Sequence, residues 1–354
     1  MSASTATGHP TASGTGPGPG PGRRVRQVLG RVLEPRYLPV AGTLLTLVIM
    51  LAVGEARYGG ERGFVSVRLF SNLLVDNSYL LVLAIGMTFV ILTGGIDLSV
   101  GAVVALVGLV VATLLPLGVP LPVVLVVGVL IGSTFGLLIG TMVHSFAIQP
   151  FIASLAAMFL ARGLCNVVSV QSLAIKDEGF AALASWSIKF GEGRSISKIN
   201  LSMIVAFVVL LVAFYLLHYT RFGRTVYGVG VGDGGSAVQL MGLKSGRTVV
   251  WVYVISGTCA GIAGILFALY TKSGFNLTGI GMELDAIAAV VIGGTILTGG
   301  GGYVLGTAAG VLVYGLIQVL IAREGLDSWW TRVFIGVVLL AFVVLQRVLT
   351  LRRR

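Results

Sequence analysis

The sequence predicts an all-α polytopic membrane protein of about ten transmembrane helices, some short or broken, with both termini in the cytoplasm. Three observations carry this. Hydrophobic residues fill 56% of the 354 positions and charged residues only 10%, with a mean hydropathy of +1.00, whereas soluble chains carry about 25% charge. Largely uncharged stretches of about 20 residues, enough to cross a hydrocarbon core ~30 Å thick, recur along almost the whole length. The net charge of +11 is concentrated in three segments.

Residues 1–36 open with a Gly/Pro/Ser/Thr-rich run ending at Gly22, followed by Arg23, Arg24, Arg26, Arg31 and Arg36 against Glu34. They lack an apolar run and read as a disordered basic cytoplasmic tail. The stretch after them looks like an uncleaved start-transfer helix, with no cleavable signal before it. A transmembrane domain is expected over 37–346, with spans near 37–54, 78–93, 98–115, 121–143, 149–169, 201–217, 248–270, 284–297, 304–321 and 332–346. The short, glycine-interrupted 78–93 and 284–297 read as broken or re-entrant. Arg162 lies toward the outer end of its span, with a stem long enough to snorkel.

Charge gives the orientation. Residues 1–36 carry +4, residues 220–247 carry +3 and the tail 347–354 carries +4, while the rest sums to zero. By the positive-inside rule these three segments are cytoplasmic, which requires an even number of spans. The polar stretch 171–200, with four basic and three acidic residues, then lies outside. Once these flanks are explained no basic stripe is left for nucleic acid.

Between Asn77 and His144 the only charged residue is Asp97, inside Thr93-Gly-Gly-Ile-Asp-Leu-Ser99. An ionised carboxylate in hydrocarbon is costly unless paired or hydrated, so it marks a functional site by default. A second reading stays open: the two glycines break a helix and Asp97 caps the next one. Glu283 and Asp285 stand at the outer mouth of another uncharged stretch. Carboxylates two apart cannot share a helix face, so one is expected to cap a helix start and the other to shape a hydrated pathway.

Ile91-Leu-Thr-Gly-Gly95 recurs as Ile296-Leu-Thr-Gly-Gly300. This is either the trace of a duplicated membrane unit or a chance repeat in a glycine-rich chain, most of whose glycines serve close helix packing. Cys165 and Cys259 sit in apolar spans and imply core packing. No His/Cys/carboxylate grouping has metal spacing. No Gly-x-x-x-x-Gly-Lys-Ser/Thr loop occurs, so this polypeptide does not itself hydrolyse ATP by that mechanism. A membrane-embedded enzyme finds no support. A proton-coupled secondary sugar transporter, with Asp97, Glu283 or Asp285 as relay, is the rival to a subunit driven from outside. The inward segment 220–247 contains a glycine-bounded short helix in which Ser236 is placed to cap, and Leu240 and Met241 to dock into a partner's groove.

The runs 86–101 and 283–295 resemble the ribose-type sugar permeases of ABC importers, over about residues 69 to 347. Ser236-Ala-Val-Gln-Leu-Met-Gly242 and Ser328-Trp-Trp-Thr331 are most similar to the galactofuranose-type permeases of that group. The resemblance implies a non-catalytic permease subunit of a bacterial inner-membrane importer, with four kinds of partner. These are a second permease, the same or paralogous, a sugar-type ATPase that holds the ATP, an extracytoplasmic sugar-binding protein, and a monosaccharide cargo. Segment 220–247 would then couple to the ATPase through Asp233, Ser236, Leu240, Met241 and Gly242, although Gly230-Val-Gly-Asp-Gly-Gly235 departs from the family's Gly-Gly-Asn. Because a neutral sugar needs hydroxyl-matching groups, Thr93, Asp97, Ser99, Thr295 and Thr298, with Glu283 and Asp285, are the expected path residues.

Overall fold

Every one of the ten apolar segments folds as a helix, but not every helix is a full crossing. The computed structural model describes residues 38–60, 63–190, 197–231, 245–327 and 329–351. The predicted tail 1–36, the coupling residues Asp233, Ser236, Leu240, Met241 and Gly242, and the last three residues lie outside the described residues. Among the described residues, seven helices are long and apolar enough to cross a membrane. They are α1 (Leu38–Tyr58), α4 (Val100–Leu114), α5 (Leu121–Ser145), α6 (Pro150–Val168), α8 (Leu201–Tyr219), α10 (Ser245–Thr271) and α12 (Val304–Arg323). The pair α2 (Val67–Asp76) and α3 (Ser78–Leu92), bent by 63°, makes an eighth if it is one span. Helix α13 (Trp329–Leu351) carries a shorter apolar stretch.

The eighth segment is short for a physical reason. Helix α11 (Met282–Ile292) has 11 residues and rises only about 16 Å, half a hydrocarbon core. The chain before it is non-helical, a short strand followed by turns in which Thr278 N bonds Phe275 O at 3.1 Å and Met282 N bonds Gly279 O at 3.2 Å. Ser273–Gly274 forms strand β4, paired antiparallel with β1 (Leu173–Ala174) in the register Leu173↔Gly274. The chain then runs down beside the α4 span: a Cβ at Gly274 would lie 2.8 Å from Leu109 Cα, and one at Gly279 would lie 3.5 Å from Gly101 Cα.

Helix α3 is apolar all round and 14 of its 15 residues are buried, the mark of a central helix. It packs with α8, α10, α11 and α12. The longest two helices, α5 and α10, lie together through small residues: Gly128, Gly132, Gly136 and Gly140 recur every four positions on α5 and meet Gly257 and Gly261. A Cβ at Gly132 would stand 2.7 Å from Gly261 N, so the backbones approach as only glycine allows. Ser133 and Thr258 add a 2.8 Å hydrogen bond across this seam.

The two ends of the protein are distinct. At one lie β1 and β4, the short helix α7 (Glu178–Ser185) and the hairpin of β2 (Ser187–Phe190) with β3 (Ser197–Asn200). Ser71 at the start of the bent pair donates to Lys198 O at 2.6 Å. At the other end His144 closes α5 against Gly246, and His218 stacks on Tyr303 with ring centroids 6.0 Å apart.

Candidate functional site

Helix α3 ends because Gly94 takes φ +79°, a left-handed conformation that glycine adopts without strain. Gly95 N then bonds Val90 O (3.0 Å) and Gly94 N bonds Ile91 O (2.9 Å), the paired bonds of a Schellman cap. Helix α11 ends identically. Gly294 has φ +91°, Thr295 N bonds Val290 O (3.2 Å) and Gly294 N bonds Val291 O (2.9 Å). The two caps share one geometry, with Gly94 aligned on Gly294, and the likeness is one of turn type. Its register differs from the sequence echo, because Ile296–Gly300 lies within the loop after the second cap, where Gly299 and Gly300 have φ +87° and +74°.

The two loops touch. Gly300 N donates to Leu92 O at 2.9 Å, and a Cβ on Gly94 would lie 3.5 Å from Thr298 O. Above this contact Thr88 and Thr307, both fully buried, share a 2.7 Å hydrogen bond between α3 and α12. Helix α9 (Arg221–Gly230) ends against the same junction. Thr220 caps its start, accepting from Gly223 N at 3.2 Å, Tyr227 donates its hydroxyl to Gly302 O at 2.8 Å, and Gly230 packs on Leu92 O, Gly299 and Gly300.

Asp97 sits in the first loop, fully buried. Its Oδ1 accepts from Ser99 N (3.0 Å) and Ser99 Oγ (2.7 Å), and its Oδ2 accepts from Ser256 Oγ of α10 (2.8 Å). The carboxylate therefore closes the start of α4 and ties it to α10. Ser154 of α6 holds the same loop by donating to Ile96 O at 3.2 Å. Tyr253, one turn before Ser256, packs on Gly95 and its buried hydroxyl has no hydrogen-bond partner. Thr295 Oγ1, at the position in the second cap that corresponds to Gly95, is also buried without a partner.

Arg162 does not snorkel. Its Nη1 donates to Asn276 O (2.9 Å) and Thr278 O (2.6 Å), satisfying carbonyls of the turns before α11 that no helix satisfies. Asn276 Nδ2 donates to Asn166 Oδ1 at 2.6 Å. Glu283 folds back so that Oε1 accepts from Gly281 N at 3.1 Å, and its other oxygen lies against Gly101. Asp285 interacts with the Tyr314 hydroxyl and faces Arg332.

The predicted path residues thus fall into two groups. Thr93, which donates to Val90 O at 2.8 Å, Asp97, Ser99, Thr295 and the exposed Thr298 gather around the two loops. Glu283 and Asp285 stand apart at the start of α11. Sequence reasoning missed Ser154, Ser256, Tyr253, Asn166 and Asn276. The one available signal was polarity within apolar spans. Among the described residues no His/Cys/Asp/Glu group has the makings of a metal site.

The family model described as branched-chain amino acid transport system / permease component matches residues 69–343. The fructose import permease protein FruG of Bifidobacterium longum is 42% identical over 321 residues, 90% of this chain and 93% of the relative. The inner membrane ABC transporter permease protein YjfF of Escherichia coli is 45% identical over 290 residues, 81% of this chain and 86% of the relative. The ribose import permease protein RbsC of Escherichia coli is 34% identical over 304 residues, covering 86% and 92%. No solved structure matches the chain. With its apolar helices, paired broken spans and relatives matched along nearly their full length, this chain belongs to the branched-chain amino acid transport system / permease component family, among the ribose-type sugar permeases of ABC importers, multi-pass proteins of the bacterial inner membrane.

Proposed function

We propose that this chain is the permease subunit of an importer that moves a monosaccharide inward by ATP-driven alternating access. The observation that carries the reading is the pair of capped half-spans, α3 and α11, whose loops close on each other at Leu92 and Gly300. Broken helices meeting inside a bundle are the architecture in which a transporter rocks one repeat against the other. The printed activities of the relatives, fructose and ribose import, support a monosaccharide as the cargo. A galactofuranose- or galactose-like sugar is the first candidate within that class, on the runs 236–242 and 328–331.

Ten crossings with cytoplasmic termini follow if α2–α3, the non-helical chain with α11, and α13 each count as one crossing. The external loop 171–200 and the 272–281 segment then share the outer side, as the β1–β4 pairing supports, and α9 lies inside with Arg221 and Arg224. Segment 220–247 meets a separate ATPase, which holds the ATP. That ATPase, a second permease and an extracytoplasmic binding protein are the partners. ATP binding shifts the permease pair between outward and inward states in proportion to its differential affinity for them. A proton relay through Asp97 is disfavoured, because its carboxylate is occupied by the three donors of Ser99 and Ser256.

The test is uptake of labelled galactose, ribose and fructose into proteoliposomes holding this permease, its ATPase and any second permease, with binding protein outside and ATP inside. Uptake should need both ATP and binding protein and be indifferent to a protonophore. Uptake without ATP that follows a proton gradient overturns the proposal.

A further inference from the structure

The span that contains α11 is non-helical before that helix, and two polar side chains of α6, Arg162 and Asn166, converge on the non-helical stretch. Residues 274–279 run alongside α4, with Gly274 packed on Gly108 and Gly279 packed on Gly101. This places non-helical backbone beside a membrane-crossing helix, an arrangement tolerated only where the chain lines a cavity or is satisfied by neighbours. Arg162 satisfies two of its carbonyls. The remainder is not satisfied: Asn276 is only 9% exposed, yet its Oδ1 has no hydrogen-bond partner. Turning the amide over leaves its nitrogen unpaired instead, so one polar atom is orphaned in either orientation. Such a group costs about 1–3 kcal/mol, and evolution retains that cost where something else completes the bond.

We infer that Asn276, with Arg162, Asn166 and Glu283, forms a binding site for one face of a neutral polyol on the outer half of the path. The charge balance selects the ligand class. Arg162 and Glu283 oppose each other near the site, so neither an anionic sugar phosphate nor a cation is favoured. A polyol brings hydroxyls that donate to Asn276 Oδ1 and Glu283 and accept from Arg162. The site lies one turn along α4 from Asp97, through the contact of Gly101 with Glu283, so a sugar leaving it moves toward the loop that Asp97 holds. The inference rests on the importer reading above and names where that importer grips its cargo.

The experiment uses the full transporter in proteoliposomes, with the parent monosaccharide and its series of single-deoxy analogues supplied on saturating binding protein. Wild type should transport one analogue, the one lacking the hydroxyl that meets Asn276, about tenfold more slowly than the parent, as one lost hydrogen bond predicts. Asn276→Ala should slow the parent about tenfold, leave that analogue at its wild-type rate, and keep ATP hydrolysis stimulated by binding protein. Glu283→Gln, which keeps the acceptor for Gly281 N, should show the same non-additivity with a different analogue. If both variants slow the parent and every analogue by one common factor, or slow none, the site is overturned. It is equally overturned if wild type carries labelled leucine in preference to sugars. Should wild-type uptake prove independent of ATP, the importer reading fails, whatever the variants do.

Discussion

Asp97 was visible in the sequence as one carboxylate in an apolar desert, and its two readings make different demands. The structure gives it three donors from Ser99 and Ser256, so removal strands buried polar groups. Asp97→Ala should destabilise the folded permease by about 3 kcal/mol, whereas Asp97→Asn, whose amide oxygen still accepts from Ser99, should stay near wild type. Thermal unfolding in detergent separates the two. Uptake adds the functional half: a path role requires that Asp97→Asn lower transport while assembly is unchanged. Ser256 and Tyr253 were not legible, because they lie in a helix apolar on every face and far along the chain from Asp97. At the outer surface Glu324 bonds Arg57 at 2.5 Å and also bonds Tyr58, and the Arg57 hydrogen bond holds its carboxyl down to about 2. A lowered carboxylate value stabilises the fold above its unfolded value near 4.5 and loses that contribution as pH falls toward 2. The pair should therefore survive at pH 4, with Glu324→Gln flattening whatever pH dependence of unfolding is seen between pH 4.5 and 2. Because both side chains are well exposed, that effect should be small.

At the level of helices, hydropathy marked all ten segments, since length and apolarity are local properties. Two things escaped it. The span that contains α11 read as broken or re-entrant, but what secures the break did not show, because the non-helical backbone before α11 is held by Arg162, a residue more than a hundred positions away. The register of the internal repeat escaped too: Schellman caps need glycine only at the left-handed position, so Thr93-Gly-Gly95 and Gly293-Gly-Thr295 do the same work with different letters. The identical string fell in the longer second loop. The glycine seam between α5 and α10 yields a sharp expectation. Gly132→Leu should prevent the two backbones from approaching, with a Cβ already 2.7 Å from Gly261 N, and membrane-fraction yield of folded protein should collapse. Gly163→Leu, on α6 where a Cβ meets nothing within 4 Å, should leave the yield unchanged.

Across the whole molecule, α9 and the two loops are one connected object. Helix α9, which precedes the proposed coupling stretch, is fastened to the second loop by Tyr227 and to both loops by Gly230. Tyr227→Phe keeps the ring and removes only the hydroxyl. ATP hydrolysed per sugar delivered should rise several-fold, with stimulation by the binding protein retained. An unchanged ratio would show that the hydrogen bond transmits nothing. The polar groups of this contact are mostly backbone, which is why composition and motif reading did not reveal that α9 is tied to the two loops.

The unequal length of the two loops has a further consequence. After Gly95 the first loop takes four residues, 96–99, to reach its next helix, and after Thr295 the second takes eight, 296–303. The longer loop offers α9 a wider hold: Tyr227 bonds Gly302 O and Gly230 seats on Gly299 and Gly300, against one contact with Leu92 O. A displacement of α9 would therefore move the second loop first and reach the first loop largely through it.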